Sequence, residues 1–146
     1  MTNVSSERPI GQMAELLVRD ALSELPAGFS VSSNSSSMEY SIDFGRAFSY
    51  EPDLEISDSQ GRKLYVEIKS ERGMSLPNMV RFAEIDKRMR AHPDTAFMVL
   101  VWGASAQASR ITERPEFKRL NVRHASTSTD ARRVVLKAFS SAFNRD

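Results

Sequence analysis

Apolar and polar positions follow two different periods along this chain, and the change of period marks the predicted elements. From Ile10 to Leu25 apolar side chains recur every three or four residues, which predicts a helix that Pro26 ends. The same period returns from Asn78 to about His92 and from Thr129 to Phe143. Three helices are therefore expected, and the apolar stripe of the second consists of Met79, Phe82, Ile85 and Met89.

A period of two predicts strands between these helices. Leu54 and Ile56 alternate with acidic residues, and the segment Leu64–Lys69 alternates in the same way after the turn at Asp58–Gly61. Ala96–Trp102 is continuously apolar, which is typical of a strand covered on both faces. Further predictions are strands at Phe29–Val31, Tyr40–Phe44 and Val122–His124, a serine-rich loop at Ser32–Ser37, and a short helix or loop at Glu113–Leu120.

The register of the central hairpin can be predicted from its turn. A three-residue loop, Ser59–Gly61, gives glycine the position that needs a left-handed backbone. Asp58 then faces Arg62, and Asp53 faces Glu67, so that ionisable side chains share one face of the hairpin. A two-residue loop would instead mix polar and apolar side chains on both faces. The other pairs of the favoured register are Glu55 with Tyr65 and Glu51 with Lys69.

The order of the elements predicts the fold class. A helix, strands with a hairpin, a helix, a buried strand, a mixed segment and a closing helix predict an α/β fold with a mixed central sheet flanked by helices. With 146 residues and 40% hydrophobic content, the chain can form one sizeable core, and we expect a single domain over residues 1–146.

Composition excludes several kinds of chemistry. The chain has no cysteine, so disulfides, thiolate metal sites and cysteine nucleophiles are absent, and any metal must bind to oxygen or histidine. No apolar run approaches the roughly 18 residues that cross a bilayer, and the first residues lack the features of a secretory signal. We therefore expect a cytoplasmic protein that does not enter a membrane.

Charge is unevenly distributed along the sequence. Residues 1–71 carry 6 basic and 12 acidic side chains, a net charge of −6, and residues 72–146 carry 14 basic and 7 acidic ones, a net charge of +7. An acidic half followed by a basic half is compatible with a metal site beside a phosphate-binding surface.

Three residues of the hairpin suggest a specific chemistry. Glu67 and Lys69 are two positions apart on a strand and point the same way, and Asp53 joins them through the register. Neighbouring carboxylates repel each other unless a cation lies between them, and hard oxygen ligands suit Mg²⁺ or Mn²⁺. Phosphodiester hydrolysis uses such a metal together with a lysine that positions water and balances charge in the transition state.

The segment from Ile10 to Trp102 resembles the PD-(D/E)XK nuclease superfamily. Pro52-Asp53, thirteen intervening residues and Glu67-Ile68-Lys69 match its motif, and Glu15 matches a glutamate that many members carry on the first helix. The resemblance implies a restriction endonuclease-like core in α-β-β-β-α-β order. It also implies a Mg²⁺- or Mn²⁺-dependent nuclease acting on DNA, with Glu15, Asp53, Glu67 and Lys69 as catalytic residues and the three acids as metal ligands.

Other interpretations of the acidic residues and histidines remain open. Glutamate and lysine also alternate on exposed strands as simple cross-strand ion pairs. Glu51 and Glu55 flank Asp53 and are either exposed strand acids or substitute ligands, and Asp43 is a candidate if the register is wrong. The remaining residues considered, for which a structural role is favoured, are His92, His124 and Trp102.

Several basic residues are candidates for contacts with phosphates, although a solvated helix face explains them equally well. They are Arg81, Lys87, Arg88, Arg114, Lys118 and Arg119. Two alternatives to an independent nuclease are a catalytically inactive nucleic-acid-binding protein of the same fold and a nuclease subunit of a larger complex. A chain of this size either forms a homodimer that cuts both strands of duplex DNA or acts on branched or single-stranded DNA, and the sequence does not choose between these.

Overall fold

A computed structural model describes residues 16–33, 38–41, 47–70, 74–103 and 114–143. The strands are β1 (Phe29–Ser33), β2 (Met38–Ser41), β3 (Ala47–Tyr50), β4 (Leu54–Asp58), β5 (Lys63–Ser70), β6 (Thr95–Trp102) and β7 (Val122–Ala125). The helices are α1, helical over residues 16–22, α2 (Leu76–Met89) and α3 (Ser128–Phe143), and a 3₁₀ turn spans Pro115–Phe117.

Five strands form one mixed sheet in the order β1-β4-β5-β6-β7. The first three are antiparallel neighbours, whereas β5, β6 and β7 run parallel. The two parallel connections contain α2 and the segment after Trp102, as parallel neighbours require a crossover. β2 and β3 pair with each other in a separate two-stranded sheet.

Helices cover both faces of the main sheet, and each face has its own core. On one face α1 and α3 pack on the aliphatic side chains of β4 and β5, among them Leu54 and Val66. On the other face the predicted stripe of α2 packs on Tyr65 and Phe97, and all four of its residues are fully buried. The expected mixed sheet flanked by helices is therefore confirmed.

The turn between β4 and β5 has the predicted geometry. Gly61 adopts a left-handed φ of 82°, and the Asp58 amide donates to the Arg62 carbonyl over 3.1 Å. Leu54 pairs with Val66 and Glu55 with Tyr65, so the ladder has the register derived from the three-residue loop. The ladder ends at Leu54, so it does not include the predicted pairs of Asp53 with Glu67 and of Glu51 with Lys69.

Two predicted boundaries are wrong. The single strand expected at Tyr40–Phe44 is instead the antiparallel pair β2 and β3, and residues 42–46 lie outside the described residues. α2 begins at Leu76 rather than Asn78, because the Ser75 hydroxyl accepts a hydrogen bond from the Asn78 amide and caps the helix. Pro77 fits this first turn, where a missing amide hydrogen costs nothing.

Candidate active site

β5 presents Glu67 and Lys69 on the face covered by α2. The side chains of alternate strand residues point the same way, and here the Lys69 ammonium lies 3.4 Å from Glu67 Oε2. Glu67 is only 7% exposed, within the core around Phe82 and Phe97. The predicted convergence of these two residues is present, in a setting that is mostly apolar.

Asp53 approaches the same point from the next strand. Its Oδ2 accepts a hydrogen bond of 2.8 Å from the Ile68 amide, directly after Glu67 in the chain. Pro52 precedes it and has no amide hydrogen, so the ladder stops at Leu54 and the carboxylate of Asp53 takes the place of a backbone acceptor. Asp53 is therefore held against β5 at the residue that follows Glu67.

Tyr50, at the end of β3, joins these residues and was missed from the sequence. Its hydroxyl donates a hydrogen bond of 2.6 Å to Glu67 Oε1. Burial raises the pKa of the Tyr50 hydroxyl far above its usual value, and the Glu67 and Asp53 charges and the hydrogen bond to Glu67 raise it further, while Arg81 lowers it. The phenol therefore stays protonated and acts as a donor.

Two residues of α2 complete the site. The Arg81 guanidinium carbon lies 6.0 Å from the centre of the Tyr50 ring, and the Lys69 ammonium lies 5.9 Å from the centre of the Phe82 ring. Cations over aromatic faces are attracted by the ring quadrupole. The site thus combines two carboxylates, two cations and a phenol, contributed by β3, β5, α2 and the segment that leads into β4.

The donor set fits a hard divalent cation. Carboxylate oxygens suit Mg²⁺ and Mn²⁺, and Mg²⁺ commonly binds one or two carboxylates and keeps several of its waters. Asp53 and Glu67 supply two such carboxylates. In the part of the chain that the structure describes, no three acidic or histidine side chains form a ready-made metal cluster. Glu15, the predicted third acid, lies outside the described residues.

The alternative acids occupy other environments. Glu51 is exposed, and Glu55 lies 3.8 Å from the Lys63 ammonium and accepts a hydrogen bond from Tyr65. Asp43 lies outside the described residues. His92 is exposed and His124 is half-buried on β7, where its Nε2 is buried without a hydrogen-bond partner among the described residues.

The predicted basic residues separate into two groups. Arg88 pairs with Glu84 at 2.6 Å, and Arg114 lies 3.7 Å from Glu116. Three others line a groove of about 630 Å³ between α2 and the 3₁₀ turn, together with Arg90; they are Lys87, Lys118 and Arg119. The α2 residues that line the groove lie between Val80 and Arg90, and Arg81 is not among them.

Comparisons with known proteins add little to this geometry. No protein-family model and no curated protein matches the chain. The structure is similar to the crystal structure of a repair endonuclease from Pyrococcus abyssi, with 12% sequence identity and a TM-score of 0.39. The similarity covers 78% of this chain and 44% of that one, so the chain spans less than half of that protein's length. A TM-score this low carries no argument about function. Separately, no helix among the described residues is long and apolar enough to cross a membrane.

Proposed function

We propose that this protein is a divalent-metal-dependent nuclease that hydrolyses phosphodiester bonds of DNA. The proposal is supported by one observation: the Asp53 carboxylate accepts a hydrogen bond from the amide of Ile68, the residue between Glu67 and Lys69, whose side chains form an ion pair. The resemblance of the Pro-Asp and Glu-Ile-Lys segments to the PD-(D/E)XK motif supports the same conclusion. The homodimer, the cytoplasmic location and the role of Glu15 stay predictions.

Each side chain of the site has a physical role in this proposal. Asp53 and Glu67 would hold Mg²⁺ or Mn²⁺, which supplies a Lewis acid and lowers the pKa of bound water. Lys69 positions the attacking water and offsets negative charge that develops on the phosphate. Arg81, beside Tyr50, carries a planar guanidinium suited to a phosphate oxygen.

The path of the nucleic acid follows α2 in this proposal. Lys87, Lys118 and Arg119 line the groove along α2 and provide cations for backbone phosphates. Arg90 braces the groove by donating to the Asp86 carboxylate and to the Arg119 carbonyl, both over 2.7 Å. Arg88 and Arg114 already pair with glutamates and are weaker candidates for phosphate contacts.

A structural ion pair explains the site less well. An ordinary ion pair between alternate residues of one strand would place Glu67 and Lys69 together, but it has no need of a second carboxylate or of a buried glutamate. The catalytically inactive alternative meets the same difficulty, because a protein that only binds phosphates has no use for clustered carboxylates.

Cleavage assays test the proposal directly. Supercoiled plasmid, linear duplex, single strands and branched junctions are incubated with the protein, with and without Mg²⁺ or Mn²⁺. We expect metal-dependent cleavage that Lys69→Ala reduces by at least about 100-fold, the scale of losing one contact to transition-state charge.

A second lysine of β5 provides a matched control. Lys63 lies on β5, as Lys69 does. It pairs with Glu55, away from Asp53. Lys63→Ala should therefore cleave at the rate of the parent. If Lys69→Ala retains the parent's activity, the observed cleavage comes from a contaminant and the proposal is wrong.

A further inference from the structure

We propose that Tyr50 is a positioning residue that fixes the Glu67 carboxylate for divalent-metal binding. This inference rests on the proposed function, since it assigns Tyr50 a role in the same site. Tyr50 touches Glu67 through one short hydrogen bond and acts on the metal only through that carboxylate.

The geometry around Glu67 gives the Tyr50 hydroxyl a specific role. A glutamate side chain has three rotatable bonds, and a metal ligand must keep one of the resulting orientations. The Tyr50 hydroxyl binds Oε1 at 2.6 Å, and the Lys69 ammonium lies 3.4 Å from Oε2. Different donors on the two oxygens fix the plane of the carboxylate. The Lys69 side chain is 30% exposed and flexible, so the buried phenol is the more rigid of the two.

The chain connects Tyr50 to the site through only two residues. Glu51 and Pro52 separate it from Asp53, whose Oδ2 binds the Ile68 amide beside Glu67. Tyr50 therefore binds the Glu67 carboxylate and Asp53 binds the amide of the next residue, both from a single segment held by β3 at one end and by β4 at the other. The hydroxyl aligns one predicted ligand, and the same segment carries the other.

The ring of Tyr50 is held independently of its hydroxyl. It packs edge to face on Phe97, with ring centres 5.6 Å apart, and Arg81 lies over its face. These contacts remain in Tyr50→Phe, which removes the hydrogen bond and little else. The role of the hydroxyl can therefore be separated from the role of the ring in the core.

Calorimetric titration of the full chain with Mn²⁺ alone provides the test. We expect Tyr50→Phe to bind Mn²⁺ about 10- to 100-fold more weakly than the parent, the usual loss when a partner of a metal ligand is removed. A cleavage assay should show the same shift in the Mn²⁺ concentration needed for half-maximal rate, and excess Mn²⁺ should restore the rate.

The sheet contains a matched control for this variant. Tyr65 lies on the same face and donates a hydrogen bond to Glu55, which pairs with Lys63 outside the site. Tyr65→Phe removes an equivalent phenol and should bind Mn²⁺ as the parent does. Melting curves of both variants show whether the fold is retained.

Two outcomes would overturn the inference in different ways. If the parent binds Mn²⁺ and Tyr50→Phe binds it equally well, Tyr50 has no positioning role, although the proposed nuclease stands. If the parent fails to bind Mn²⁺ and shows no metal-dependent cleavage, the proposed function fails and the inference fails with it.

A double variant covers the case in which Tyr50→Phe does not fold. Removing the phenol leaves the buried Glu67 charge with one donor fewer, whereas Glu67→Gln removes that charge. If Tyr50 acts through Glu67, then Glu67→Gln and Tyr50→Phe/Glu67→Gln should share the same residual Mn²⁺ affinity. A further loss in the double variant would show a general structural role and contradict the inference.

Discussion

Glu67 is a carboxylate that the chain buries among aromatic and aliphatic side chains. Removing an ionised group from water costs several kcal/mol of free energy. An ion pair at the same position offsets this cost only if its geometry is good. A well-packed apolar residue is often at least as stable in such a position. Stability alone therefore does not account for Glu67, and the proposed metal site would give its carboxylate a role.

Asp58, at the other end of the hairpin, has a role in stability that depends on pH. Burial alone would raise the pKa of Asp58, but hydrogen bonds from Arg62 and Gln60 and the Arg62 charge outweigh it and hold the pKa below the usual 3.8. A carboxyl with a lowered pKa stabilises the fold above its unfolded-state pKa, and this stabilisation is lost as the pH falls through the folded-state value. Asp58→Asn should therefore be less stable than the parent at pH 7, by a margin that narrows below pH 3.8.

Urea unfolding of both proteins across this pH range provides the measurement. Ser59→Ala, in the same turn, removes no titrating group and should differ from the parent by a constant amount. A margin for Asp58→Asn that stays constant down to the lowest pH would contradict the assigned hydrogen bonds.

The β4–β5 hairpin depends on one backbone conformation at Gly61. A side chain added there would meet no atom within 4 Å, so its φ of 82° is the only source of strain. A left-handed conformation costs a residue with a side chain about 1–2 kcal/mol. Gly61→Ala should lower the free energy of unfolding by about that amount, as measured by urea denaturation, without changing Mn²⁺ affinity.

Asparagine provides the control for this substitution. It adopts the left-handed region more readily than alanine, so Gly61→Asn should cost less than Gly61→Ala. Equal losses for the two variants would point to a cause other than backbone conformation.

The hairpin and its acids were predictable because they depend on local rules. The glycine at the end of the turn and the alternation of polar and apolar residues fix the register between them. That register brings Asp53 beside Glu67 without knowledge of any distant contact. The central apolar strand β6 was equally clear, since a strand buried on both faces loses its alternation.

Tyr50 and β3 could not be predicted in this way. β3 pairs with β2 outside the main sheet. The local sequence pattern of a short strand does not show which other strand it will pair with. An isolated tyrosine is ordinarily a core residue, and its bond to Glu67 spans 17 positions. The one available signal was its place three residues before Asp53 in the sequence.

Among the described residues, the two halves of the sequence contribute differently to the site and to the groove. The site combines Tyr50, Asp53 and Glu67 from the acidic half with Arg81 from the basic half, whereas the groove along α2 is built from the basic half alone. Both lie on the α2 side of the sheet. Their arrangement is that expected of a metal site with a phosphate-binding surface beside it.

Salt dependence of DNA binding tests this arrangement. Each phosphate contact contributes about 0.9 to the slope of log affinity against log salt concentration. Replacing Lys87, Lys118 and Arg119 with glutamine should therefore lower the slope by up to about 3. Fluorescence anisotropy of a labelled duplex without divalent metal measures the slope.

A lysine on the opposite face serves as the comparison. Lys137 is exposed on α3, and Lys137→Gln should leave the slope unchanged. If the triple variant and Lys137→Gln bind DNA alike at every salt concentration, DNA does not follow the groove.

The four charged side chains of the site, Asp53, Glu67, Lys69 and Arg81, carry two negative and two positive charges. In the absence of ligands they nearly cancel, so neither a cation nor a polyanion is strongly repelled on arrival. A divalent ion would add two positive charges and increase the attraction for DNA, and thermodynamic reciprocity requires that DNA tighten the hold on the ion by the same factor. Electrostatics therefore imposes no order of addition, and whichever ligand comes first helps to retain the second.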